Sequence, residues 1–239
     1  MQKFTTSTSL AQYRKDARHR GAMCRAMATL PDDEPVTDAD RERAAKFAVV
    51  AERSQRSVDA ITARAADVQR ADDILTDAKA LETVTKLRTN EAYEQARLDL
   101  AAAAAEIVRT ILPTAPNVLN KSGIKRVIAL IDEGVANLSQ PDAPESVRTA
   151  HVPVIERHLA RMRQADLVED RASSALSALK ASIALFKAGQ QREREIDYGK
   201  LVELVGKVDA DAYFLPSRRD RGSSVEDDED EDVVDPAAG

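Results

Sequence analysis

The stretch FAVVAERSQRSVDAITARAADVQRADDIL, residues 47–75, decides the fold class. Phe47, Ala51, Ser54, Val58, Ile61, Ala65, Val68, Asp72 and Leu75 follow one another at spacings of 4, 3, 4, 3, 4, 3, 4 and 3. This is a helical seam of four heptads, with Ser54 and Asp72 as polar interruptions that hold packed helices in register. Around it, Val36 to Leu112 contain neither Gly nor Pro. One straight helix of that length would run to about 115 Å, so either it is broken or the molecule is very elongated. A second run, Tyr93, Ala96, Leu100, Ala103, Ile107 and Ile111, resumes the pattern, and Thr89-Asn90 between the two runs is the expected reversal, since Asn tolerates the left-handed conformation at a helix end.

Downstream, Pro113 and Pro116 in LPTAPN stop the helix, and Ile124, Val127, Ile128, Ile131, Val135 and Leu138 mark an amphipathic helix over 122–138. After the loop SQPDAPES at 139–146, a helix beginning between Glu145 and Val152 is expected to run to Ala188, with Gly189 past its end. Arg192 to Val208 then reads as a last helix with Ile196, Leu201, Leu204, Val205 and Val208 inward, and Tyr213, Phe214 and Leu215 as a plug at one end of the bundle. Upstream, a short helix over Ser9–Met27 belongs to a basic, partly flexible arm spanning 1–35 that carries Arg14, Lys15, Arg18, His19, Arg20 and Arg25.

Composition agrees with a helical reading. The chain of 239 residues has 43% hydrophobic residues but only 3% aromatic, no Trp and eight Gly. With 41 Ala, its core must be built from small side chains, and Ala is the best helix former. The expected fold is therefore all-α: an elongated antiparallel helical bundle over 36–216 with coiled-coil-like heptad seams and four to five main helices.

The net charge of −6 is unevenly distributed. Eight acidic residues lie between 226 and 235, among them Asp227, Asp228, Glu229, Asp230, Glu231 and Asp232; without them the rest of the chain stands at +2. Residues 217–239 have a composition that cannot bury enough apolar area to offset the entropy of ordering, and read as a disordered acidic tail. Such a tail confers solubility, folds back on a basic patch, or docks on a basic partner.

Motifs for chemistry are missing from the sequence. Cys24 is the one cysteine, and no zinc spacing of Cys and His surrounds it. His151 and His158 are two helical turns apart, roughly 10 Å, too far for one metal ion without other ligands. No Glu-x-x-His, His-Glu-x-x-His, phosphate-binding glycine loop or Gly-x-Ser-x-Gly elbow occurs. No metal, cofactor or catalytic residue is assigned.

The basic clusters are more informative. Arg157 and Arg161 are neighbours on one helix face with His158 and Arg163 nearby, although Glu156, Asp166 and Glu169 are spaced to neutralise them. These two arginines and the acidic run 227–232 are the candidate partner-binding residues. The reading that follows is a non-enzymatic structural or adaptor protein that binds protein, itself included, through helix faces. Its alternative is a nucleic-acid-associated or chaperone-like binder whose basic patches the acidic tail regulates. One cysteine, no apolar run of membrane-spanning length and no secretion signal suggest the cytoplasm, and the excess of Arg over Lys with abundant Ala suggests a GC-rich bacterial genome.

Overall fold

The computed structural model describes Phe4, residues 7–30 and residues 36–215. The described residues form an all-α helical bundle without strands. The helices are α1 (Leu10–Ala28), α2 (Asp38–Ala103), α3 (Val108–Ile111), α4 (Pro116–Lys121), α5 (Ile124–Leu138), α6 (Glu145–Val205) and α7 (Lys207–Ala210), with single 3-10 turns at Ala105–Ile107 and Asp211–Tyr213. The acidic run 227–232 and the rest of 216–239 lie outside the described residues, as does 31–35.

Local chemistry starts the helices. Ser9 caps α1 by accepting the N–H of Gln12 at 3.1 Å. Ahead of α2, the Thr37 hydroxyl accepts the Asp40 N–H at 3.2 Å while the Asp40 carboxylate accepts the Thr37 N–H at 3.0 Å, a reciprocal capping box. The Thr37 hydroxyl also donates to that carboxylate, which lowers the Asp40 pKa. Pro116 sits at the start of α4, where its missing N–H has no intrahelical role.

Two expected boundaries are absent. No reversal occurs at Thr89-Asn90, because α2 runs unbroken through both. The Thr89 hydroxyl donates to the Thr85 carbonyl at 2.7 Å and the Asn90 amide nitrogen to Asn120 Oδ1 at 2.9 Å, so these two donors are satisfied without ending the helix, while the buried Asn90 Oδ1 has no hydrogen-bond partner among the described residues. The chain leaves the helix instead at Ala104 (φ −157°, ψ 75°), inside the alanine run, and so carries Val108, Ile111 and Leu112 into the core. Gly189 likewise ends nothing. The two helices expected around it are one, α6, which also passes through Pro153. An exposed glycine costs a helix about 1 kcal/mol relative to Ala, a small term beside the contacts made in the next two turns by Arg194 and Asp197.

The chain divides into two compact units, Met1–Val58 with Gly189–Gly239, and Asp59–Ala188. The core of the first comprises Cys24 of α1, Phe47, Val50 and Ala51 of α2, Leu201 of α6, Ala210 of α7, and Tyr213 and Phe214. The basic N-terminal segment thus contributes a packed helix, and Tyr213 and Phe214, but not Leu215, plug this core. Tyr213 stacks on Phe47 with ring centroids 6.1 Å apart, and Phe214 meets Tyr198 edge-on at 5.6 Å.

The second unit packs Tyr93, Ala96 and Leu100 of α2 against Val127, Ile131, Val135 and Leu138 of α5 and Ile155, Leu159 and Met162 of α6. The expected α5 face is the buried one. Gly134 is required there by proximity, since a Cβ at that position would lie 2.6 Å from Tyr93 Cε2 and 3.2 Å from Leu112 Cδ2.

Candidate functional site

In the first unit the positions that a heptad reading assigns to polar interruption and to surface charge converge on a buried ionic centre. Asp16 and Arg20 are one turn apart on α1, and Arg194 and Asp197 are three apart on α6, so each pair shares a helix face. Arg194 donates from Nε to Asp16 Oδ2 at 2.9 Å and from Nη2 to Asp16 Oδ1 at 3.0 Å. Arg20 donates from Nη1 to the same carboxylate at 2.8 Å and from Nε to the Ser54 hydroxyl at 3.0 Å. All five residues are buried. Ser54, a polar position in the seam, is thereby explained as the acceptor for Arg20.

Asp197 is held differently. Arg20 Nε lies 3.1 Å from its Oδ2 and Arg53 Nη1 3.4 Å from its Oδ1, ion-pair distances without hydrogen-bond alignment, so both buried oxygens lack a hydrogen-bond donor. Burial outweighs the pull of Arg20 and Arg53 and pushes the Asp197 carboxyl up to about 6.

The centre also grips the chain after α7. The Leu215 N–H donates to Asp16 Oδ1 at 3.0 Å and its carbonyl accepts from Arg194 Nη2 at 3.2 Å. The Phe214 ring faces two guanidinium groups, Arg20 at 5.1 Å and Arg194 at 5.0 Å from its centroid, and Arg194 also lies 4.1 Å from the Phe4 centroid. Asp16 accepts four hydrogen bonds from protein groups, which makes it a clamp. Beside it runs an open groove of about 440 Å³ lined by Arg53, Arg56, Ser57, Gln190, Glu193 and Ile196.

Cys24 is fully buried in this core, not at a helix surface, and burial pushes its thiol up to about 12. A thiol held protonated at neutral pH is a poor nucleophile.

In the second unit, Arg157 and Arg161 are exposed on α6, close to the half-buried His158. Among the described residues none of the carboxylates expected to neutralise them, Glu156, Asp166 and Glu169, forms an ion pair with either. Asp170 pairs with Lys125 of α5 at 3.0 Å, and Asp166 and Glu169 line an open groove of about 480 Å³ with Glu82, Lys79 and Thr83 of α2. Among the described residues neither Arg157 nor Arg161 has an ion pair. Arg88 of α2 adds to their field, and burial together with Arg161, Arg88 and Arg157 lowers the His158 pKa. His151 is bound separately, its Nε2 lying 2.7 Å from Asp99 Oδ2. The structure thus separates the two histidines into different surroundings.

Exposed apolar side chains form the other surface of the second unit. Between Ile61 and Ala78 no residue of α2 is buried. The seam there is half-covered, with Arg64 bonded to Ser182 and its guanidinium 6.0 Å from the Phe186 centroid on α6. Ile74 is 53% exposed and Leu185 79%, and Leu81, Val84 and Leu87 of α2 are exposed as well. Sequence periodicity had placed Ala65, Val68 and Leu75 in the seam and could not reveal that so little covers them.

Among the described residues no group of three or more His, Cys, Asp or Glu is placed to hold a metal ion, and no helix is long and apolar enough to cross a membrane. Comparison of the chain with protein-family models, curated proteins and solved structures gives no match.

Proposed function

We propose that this chain is a structural or adaptor protein that binds a helical segment of a protein partner along the half-covered two-helix stretch of its second unit. The observation carrying this reading is the exposure of Ile74 and Leu185 along a stretch of α2 and α6 that no third helix covers among the described residues. A coiled-coil-like seam buries its apolar positions only when another helix packs on it, and an added helix would remove these side chains from water at about 25 cal/mol per Å². No catalytic step enters this reading. A photo-crosslinking residue at position 185 tests it. Crosslinking to a protein partner from 185 but not from the exposed Glu94 supports it, and equal labelling from both sites refutes it.

A second reading, a nucleic-acid-associated or chaperone-like binder, is favoured by one observation: Arg88, Arg157 and Arg161 gather around His158 and outweigh the single opposing carboxylate there, Glu91. Phosphate neutralisation by such a cluster gives affinity that falls steeply with salt. Full-length chain and chain truncated at Arg221 would be compared on DNA and RNA at low and high salt. Retention of the truncated form that is lost on Arg157→Ala/Arg161→Ala supports this reading, and no retention at low salt dismisses it.

A further inference from the structure

The end of α6 presents a contradiction between sequence pattern and structure. Leu201, Leu204, Val205 and Val208 stand at i, i+3, i+4 and i+7, one face of a continuous helix. Yet Val208 is 86% exposed, because Gly206 turns the chain with φ 81° and ψ 164° between α6 and the single turn of α7. It is the one residue of positive φ among the described residues, and nothing lies within 4 Å of where its Cβ would be. The bend therefore depends on backbone conformation alone, a conformation that glycine adopts freely and other residues do not.

We propose that Gly206 is a hinge and that residues 207–215 exchange between two copies of this chain. With Gly206 in the right-handed helical region, α6 and α7 join into one helix. Val208 then returns to the stripe of Leu201, Leu204 and Val205. Tyr213, Phe214 and Leu215 are carried away from the pocket formed by α1, α2 and α6. The vacated pocket keeps its recognition elements: Phe47 for a ring to stack on, Arg20 and Arg194 around a second ring, and Asp16 with Arg194 to bind one peptide N–H and one carbonyl. The occupant that matches all of them in order is the same segment of a second copy. Every contact of the closed monomer is then remade between chains, and only the hinge differs. This exchange lies within the first unit and does not depend on the partner surface of the second.

Size-exclusion chromatography with light scattering on the full chain tests it. The wild type is expected mainly at 26.1 kDa. Gly206→Ala, which disfavours the bent form, is expected to shift most of the protein to twice that mass, and adding Phe214→Ala, or Tyr213→Ala where that variant folds better, is expected to return it to monomer. A folded monomeric Gly206→Ala, or a dimer that survives loss of the plug ring, overturns the proposal. If Gly206→Ala does not fold, tagged and untagged wild-type chains incubated together at high concentration decide it: mixed dimers lost on Phe214→Ala support exchange, and absence of dimers refutes it.

Discussion

Arg194 and Asp16, 178 residues apart in the chain, meet in a bidentate pair at 2.9 and 3.0 Å that is shut off from solvent. The pair ties the N-terminal helix to the last turns of α6 and, through Leu215, to the segment that follows α7. Removing one partner of a buried pair leaves the other charge uncompensated, which costs far more than the pair contributes relative to apolar residues. Asp16→Ala is therefore expected to destabilise the first unit by about 3–5 kcal/mol. Hydrogen exchange of amides in α1 reports it directly: protection there should collapse while α5 amides of the second unit keep theirs. Unchanged α1 protection would contradict the clamp. The double variant Asp16→Leu/Arg194→Met should recover part of the loss.

Asp197 gives the first unit a pH dependence of defined sign. Its carboxyl titrates at about 6 in the folded chain against 3.8 in the absence of burial, so between these values the folded state binds more protons than the unfolded state. Stability from this residue is thus greatest below pH 4 and is lost as pH rises through 6, by about 3 kcal/mol at most. Other carboxylates titrate in the same range, so the informative quantity is the difference between wild type and Asp197→Asn. Urea denaturation at pH 4.5 and 7.5 should show the wild type losing relative stability against the variant at the higher pH. A difference independent of pH would refute the assignment.

Gly134→Ala pits helix propensity against packing. Ala gains about 1 kcal/mol in a helix interior, but its methyl would meet the buried Tyr93 ring at 2.6 Å. Overpacking of this kind costs about 1–3 kcal/mol, so a net loss of stability is expected in thermal or urea unfolding. A stabilised Gly134→Ala would mean that Tyr93 moves aside freely.

Cys24 serves as a probe of the plug. Buried beneath Tyr213 and Phe214 and held protonated, it should react with a thiol reagent far more slowly in the native chain than in denaturant. Phe214→Ala should accelerate the native reaction without unfolding the helices by circular dichroism. Equal rates for wild type and variant would show that the plug does not govern access to the thiol.

Helix content and most inward faces were legible in the sequence because periodicity marks the face a helix tends to bury, although Ile196 and Val208, expected inward, are 40% and 86% exposed. Phe47, Ala51, Val58 and Ile61 are buried as the seam predicts, and so are Val127, Ile131, Val135 and Leu138. Boundaries were less legible. Thr89, Asn90 and Gly189 carry stop signals that the helices nevertheless run through, Thr89 bonding one turn back to the Thr85 carbonyl and Asn90 to Asn120, while Ala104 ends α2 within a run of the best helix former. The buried ionic centre was hidden for a different reason. Asp16, Arg20, Arg194 and Asp197 look like surface charges locally, and it is contacts between α1 and α6, remote in sequence, that turn them inward. Ser54 was the one local hint, a polar residue where the seam calls for an apolar one.

Affinity purification from the native host, comparing the full chain with Ile74→Asp/Leu185→Asp, tests the partner-binding account most directly. The account predicts a protein retained by the wild type and lost by the variant, with helicity unchanged by circular dichroism. The same proteins retained by both, at the same yield, would contradict it.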